Sequence, residues 1–256
     1  GVMIASLQRL LDVDPVLDPE NVLVLAMSVP QENLYYGPPG NPQFCGQLTD
    51  QVGAVPGVVS VGAISHLPLS GGGAGRAFVL EGHDDPGPGN QPGAGYSVAC
   101  PGFFETLEVP IVAGRAFDSR DRLGAPAVAV VNEAFAERYW PGEEAVGKRF
   151  RLSTGEDEPW LTVVGVARSF PQFSLESDRQ PWFWRPYPQA GWPVLSIVVK
   201  TASAPQTFDR AIRTAIATID PERPVAAVRT MEEVIGGSVS SRRFPMLLLT
   251  AFAALA

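Results

Sequence analysis

Val22-Leu-Val-Leu-Ala-Met-Ser-Val29 carries almost no polar alternation, so it reads as a mostly buried strand. A loop rich in Pro, Gly and Asn follows from Pro30 to Pro42. Phe44 to Val55 then places Leu48, Val52 and Val55 on one helical face, and Pro56-Gly57 stops it. Val58 to Ile64 reads as a second strand. The same order returns near the other end. Val194-Leu-Ser-Ile-Val-Val-Lys200 is a strand, and Phe208 to Ile219 is a helix with Phe208, Ile212, Ala215, Ile216 and Ile219 on one stripe. Asp220-Pro221 ends that helix, and Pro224 to Val228 is the return strand. A single strand–helix–strand unit cannot cover its own sheet, whereas two placed side by side can.

Between the units, residues 67–193 change character. Short runs at Ala77–Leu80, Ala127–Val131, Lys148–Leu152 and Leu161–Val166 are separated by turn residues. Two short helices are expected, at Phe103–Leu107 and at Glu133–Tyr139, the latter with Asn132 as N-cap. The fold class is therefore α+β: two βαβ-type units with an inserted, mainly β subdomain. After the return strand, Thr230-Met-Glu-Glu233 is a capping box that starts another helix. The expected boundaries are residues 20–66 and 194–230 for the first subdomain and 67–193 for the insertion.

Both ends look cut from something longer. Met3, Ile4, Leu7, Leu10 and Leu11 recur at helical spacing until Asp12–Pro19 breaks the pattern, so residues 1–19 read as the end of a membrane or stalk helix with a linker. Residues 231–256 read as a stalk helix leading into a membrane helix, because Phe244–Ala256 is uncharged and apolar but too short to span a bilayer alone. A buried core helix is the alternative for that tail.

Composition narrows the function. The chain has 256 residues, 45% of them hydrophobic and 18% charged, which is enough to bury a core without metal or disulfide staples. With 26 glycines and 25 prolines, it is turn-rich rather than a long helical bundle. A net charge of −8 argues against nucleic acid, which demands a basic face. Two histidines and two cysteines, with no C-x-x-C or H-E-x-x-H, leave no zinc pattern.

Chemical motifs fail on context. Gly142–Lys148 matches G-x-x-x-x-G-K, but Arg149 stands where Ser or Thr would hold magnesium, and Glu143 and Glu144 would repel phosphate. Leu69-Ser-Gly-Gly72 mimics the signature loop of transporter ATPases, yet a strand pattern follows it rather than a helix. His83-Asp84-Asp85 precedes a Pro/Gly run and reads as a solvated turn, and His66 as a structural histidine. No G-x-S-x-G elbow or triad is announced, so a hydrolase is the weakest reading. Trp182-Phe183-Trp184 reads as packing in the insertion, with a contact patch as the alternative. Cys45 and Cys100 could pair in an oxidising compartment, but their assignment to different subdomains argues against it. The expected site inventory is empty: no catalytic residue, cofactor or metal.

One ordered series of stretches does point to a family. It comprises Asp18–Val22, His66–Gly72, Pro101–Leu107 with Gly114-Arg115, Val130–Glu133 with Trp140–Glu144 and Gly147-Lys148, Val164–Val166, Asp220-Pro221 with Pro224-Val225, and Phe252-Ala253. Together they resemble the periplasmic core domain of MacB-type ABC transporter permeases, and more closely the version in acidobacterial duplicated orphan permeases. The resemblance implies a porter-like subdomain with an inserted mainly β one, on the periplasmic side of the bacterial inner membrane between two membrane helices. It implies a non-catalytic part of an efflux-type or mechanotransmitting permease, which couples membrane-helix movement to shape change outside. The implied partners are its own flanking transmembrane helices, a second permease copy, an ABC ATPase subunit and a periplasmic adaptor or lipoprotein, with no nucleic acid. Cys100 departs from the Ser-Pro-Gly helix start expected there, which weakens the cap of the helix at Phe103. An extracytoplasmic ligand-sensing domain is the rival reading, and it would need an apolar pocket with converging polar groups.

Overall fold

The computed structural model describes residues 16–29, 39–87, 89–155, 157–173, 179–222 and 225–237. The amphipathic pattern at residues 1–11 and the apolar tail after residue 243 lie outside them.

Four strands make an antiparallel sheet in the order β11-β1-β10-β2, with β1 at Val22–Ser28, β2 at Val58–Ile64, β10 at Val194–Thr201 and β11 at Ala226–Thr230. The two strand–helix–strand units interlock rather than stand side by side. β1 and β2 both pair with β10, and β10 and β11 both pair with β1. Each unit thus lends a strand to the middle of the other. The helices α1 (Phe44–Gly53) and α5 (Asp209–Ala217) cover one face. There Leu23, Leu25, Val61, Ile197 and Val199 meet Phe44, Leu48, Val52, Ile212 and Ile216. The opposite face is buried too: Val22, Val24, Ile64 and Val198 pack on Phe103, Phe104 and Leu107 of α2 (Phe103–Thr106) and its exit turn, and on Met231 and Val234. Burial on both faces is why Val22–Val29 shows no alternation.

The inserted segment closes on itself. β3 (Ala74–Leu80), β4 (Gly93–Ala99), β6 (Val128–Asn132), β7 (Arg149–Leu152), β8 (Leu161–Ala167) and β9 (Trp182–Pro186) pair in the order β4-β3-β7-β8-β6-β9. β9 then pairs in parallel with β4, from Gly95↔Trp182 to Ala99↔Pro186, which completes a six-stranded ring. Closure removes the unpaired edges that an open sheet would expose. β5 (Ile111–Gly114) pairs with β8 outside the ring. Phe135 of α3 (Glu133–Tyr139) plugs the interior against Phe78, Phe150 and Phe183. Gly95 belongs to this packing, because a Cβ there would lie 1.9 Å from the Trp182 ring.

Asn132 is a polar keystone with no exposure. Its Oδ1 accepts the Phe135 and Trp182 amides, each at 2.9 Å, and its Nδ2 donates to the Gln180 carbonyl at 2.8 Å. It therefore caps α3, as its position predicts, and also fixes the start of β9. Asn132→Ala removes a cap worth about 1 kcal/mol and strands a buried Trp182 N–H at about 1–3 kcal/mol. We expect urea denaturation to report a loss of roughly 3 kcal/mol.

One expectation is corrected. Cys45 and Cys100 form a disulfide, with Cα atoms 5.5 Å apart. The argument against pairing was their assignment to different subdomains. In fact the end of β4 pairs with the edge strand of the four-stranded sheet: Ile64 of β2 pairs with Ala99, and the Cys100 amide donates to the Ala63 carbonyl at 2.8 Å. Cys100 is also not the cap of the helix at Phe103: Gly102, at φ 90°, is its N-cap and brings α2, with buried Phe103 and Phe104, onto the β2 backbone.

Candidate functional site

The chain passes between the four-stranded sheet and the ring through residues 65–73 and through α4 (Tyr187–Ala190) with residues 191–193, and between β4 and β5 it also leaves the ring to lay α2 on the sheet. These crossings form a joint. Ser65 N–H donates to the Val98 carbonyl at 2.8 Å, and the Ser65 hydroxyl accepts the Val98 amide at 2.9 Å. His66 from one crossing meets Trp192 from the other edge-on, with ring centroids 4.9 Å apart. Arg76 lies over the Tyr96 ring at 4.9 Å and the Trp192 ring at 5.9 Å. The disulfide ties the same region from the α1 side. Burial, and then the Arg76 charge, hold the His66 imidazole below its ordinary pKa, so it is neutral at neutral pH. Its Nδ1 shares a hydrogen bond with the Ser65 hydroxyl at 2.9 Å. Among the described residues no carboxylate bonds to its ring, so a triad has no orienting acid there.

The entry and exit of the described chain lie together. Leu23, one residue into β1, pairs with Thr230, the last residue of β11. The capping box forms as read: the Thr230 amide donates to Glu233 at 3.0 Å, and the Glu233 amide donates to the Thr230 hydroxyl at 3.1 Å. Residues 231–237 are helical from that point. On the entry side, Lys200 binds Asp18 and Glu108. Burial pushes Asp18 upward, but the Lys200 and Glu20 hydrogen bonds and the Lys200 charge outweigh it and hold the carboxyl below its usual range. The segment leading into β1 is thereby fastened to β10 and to the turn after α2.

A solvent-open groove of about 890 Å³ lies on the ring. Its walls are Gly73–Ala77 of β3 and its approach, Gly93–Gly95 of β4, and Gln180–Trp182, with Phe173 at one side. Arg76, Arg138 and Arg179 all line it. The three stand far apart in sequence, on β3, on the last turn of α3 and before β9, and no local pattern announces their convergence.

The apparent motifs fall where context placed them. The Gly142–Lys148 loop joins α3 to β7, and Lys148 is ion-paired to Glu143 within the loop. Leu69–Gly72 is a turn in the first crossing, with Leu69 at φ 63° and the Ser70 hydroxyl donating to the Leu67 carbonyl at 2.7 Å. His83, Asp84 and Asp85 are exposed, and among the described residues no group of acids, histidines and cysteines converges as metal ligands do. Trp182-Phe183-Trp184 is buried β9. Arg115 clamps Asp121 through two bonds at 2.7 and 2.8 Å and so folds the turn after β5.

The family model for the MacB-like periplasmic core domain matches residues 14–233. Among solved structures, the periplasmic region of MacB from Actinobacillus actinomycetemcomitans is similar in fold. It shares 12% identity at a TM-score of 0.54, covering 89% of this chain and 96% of that one. The extracellular domain of the noncanonic ABC-type transporter YknZ from Gram-positive bacteria aligns at 13% identity and a TM-score of 0.47, over 80% of this chain and 100% of that one. No curated protein matches the chain. Among the described residues, no helix is long and apolar enough to cross a membrane.

Proposed function

The chain belongs to the MacB-like periplasmic core domain family, and from that premise we propose that it is a non-catalytic lever of an inner-membrane ABC transporter permease. Membrane helices before residue 16 and after residue 237 would move, and the four-stranded sheet would pass the movement through the joint to the ring. The units are residues 20–66 with 194–230 on one side of the joint and residues 67–193 on the other. The response is a change between two packed arrangements, because close-packed interfaces do not deform continuously.

The observation that carries this reading is the pairing of Leu23 with Thr230. Two chain ends emerging side by side can enter one membrane plane, and ends at opposite poles could not. The ion-paired entry and the capped exit give each end a firm grip on the sheet, as a lever requires. The partners suited to such a lever are the flanking helices, an ATPase subunit and an adaptor, lipoprotein or second permease copy on the periplasmic side.

The test uses the full-length permease in lipid with its ATPase. Spin labels at Val59 on β2 and Leu123 on the ring side occupy exposed positions, 65% and 46% accessible. We expect the label-to-label distance to split into two populations that exchange weight between nucleotide-free and ATP-bound states. One unchanged distribution across a working ATPase cycle would refute the lever. A ligand sensor would instead gain thermal stability from a small molecule with no nucleotide dependence.

A further inference from the structure

We propose that the arginine-lined groove on the ring docks an extended, acidic segment of a partner protein. This deepens the partner-handling side of the reading above and does not depend on the coupling step.

Charge is the first argument. The chain carries a net −8, yet Arg76, Arg138 and Arg179 converge on one trough. Arg76 is held in place by its stack on Tyr96 and by donating to the Gly75 carbonyl at 3.0 Å. Behind it stands a fourth cation. Arg185 is only 9% exposed, its Nε has no partner among the described residues, and it acts with Arg76 on the Tyr96 hydroxyl. Glu158 acts on the same hydroxyl, but less strongly than either arginine. A buried positive charge backed by low-dielectric protein raises the potential at the trough above what surface arginines give in water.

Shape is the second argument. A Cβ on Gly75 or Gly93 would meet its nearest neighbour at 3.7 or 3.6 Å, so nothing fills the space above them and the floor is bare backbone. Gly73 and Gly95 are different, for there the rings of Phe173 and Trp182 already occupy the place of a side chain and form an aromatic wall. Phe173 remains 38% exposed. The wall from Gly73 to Ala77 accommodates about five residues of extended chain at roughly 3.3 Å each. Carboxylates on such a chain reach Arg138 and Arg179 while its stem lies along the aromatic rings, and Arg76, whose side chain leaves the other face of β3 toward Tyr96 and Trp192, adds to the field. Exposed arginines make the contact salt-sensitive and fast to form.

Fluorescence anisotropy of labelled octaglutamate against the purified full chain tests this, with octaglutamine as the uncharged control. The acidic peptide should bind at low salt at least about tenfold more tightly than the control. The Arg138→Glu/Arg179→Glu pair should weaken it by about tenfold or more. Gly75→Val should weaken it by filling the floor, while the thermal melt stays at the wild-type value. Equal binding of both peptides, or indifference to the double charge reversal, would overturn the proposal. So would displacement by inorganic phosphate as readily as by unlabelled octaglutamate, which would mark a small-anion site. Binding that appears only in Glu176→Gln/Asp178→Asn would mean that the chain supplies its own acidic segment, and would overturn it as well. Because this assay contains no membrane or nucleotide, its failure leaves the spin-label result untouched, and the converse holds.

Discussion

Replacing Cys45 and Cys100 together by alanine should cost the domain roughly 4 kcal/mol. The disulfide closes a loop of 55 residues, between loop sizes for which chain entropy predicts about 3 and about 4.7 kcal/mol. Alanine rather than serine is the right replacement, because both sulfurs are buried and a hydroxyl there would lack a partner. For a chain of this length the melting temperature should fall by roughly 10 °C. The change should also be local. Residues 65–73 and 187–193 form the joint, and their amides should gain exchange before those inside the ring do. A loss below about 1 kcal/mol would mean that strand pairing alone orders the loop, and the disulfide would then be no part of the joint's stiffness. The bond fits an oxidising compartment, in keeping with a family of periplasmic core domains.

The same disulfide marks a limit of what the sequence made legible. Buried strands were readable because hydrophobicity on both faces leaves a continuous run, as in Val22–Val29. Caps were readable because Asn132, and Thr230 with Glu233, act within three residues of themselves. Ring closure was not. β4 begins Gly93-Ala-Gly95, which is not among the alternating runs, and Trp182 of β9 covers the place where a side chain at Gly95 would stand. That contact spans most of the insertion and leaves no local periodicity. The assignment of Cys45 and Cys100 to different subdomains argued against their pairing, and nothing local shows that β4 ends beside β2.

The candidate site was hidden for a related reason. Arg76 sits in an ordinary alternating strand, Arg138 in a helix end that suits a cation, and Arg179 beside a loop, so each has a bland local explanation. Only the ring brings the three to one trough. Conversely, the element order around Gly142–Lys148 and Leu69–Gly72 was legible, and each lies before a strand rather than at the head of a helix. The family itself was legible from its ordered series of short stretches, although the solved MacB region is only 12% identical. Gly114 and Gly165, both in that series, have a steric reason to be glycine. A Cβ on either would lie within about 2.2 Å of the facing backbone of the β5–β8 pair.

Phe135→Ala should hollow the ring and cost about 4 kcal/mol. The side chain has no exposure and touches the rings of Phe78, Tyr139, Trp140, Phe150 and Phe183 at centroid distances from 4.7 to 6.1 Å. Removing it deletes both the transfer free energy and the edge-to-face contacts, and a closed ring of strands can shrink little to fill the space. Phe135→Leu keeps most of the volume and should cost less than half as much. The informative reading is where protection is lost. Every ring that Phe135 touches belongs to the inserted segment, so hydrogen exchange should rise in β3, β7 and β9 while β1 and β10 hold. That outcome would mean that the sheet and the ring are separate cooperative bodies, which a lever moving about a joint must be. If β1 and β10 instead open together with the ring at one free energy, the domain unfolds as a single body. The joint would then be as stiff as the core, and movement from the membrane could only carry the whole domain along without bending it.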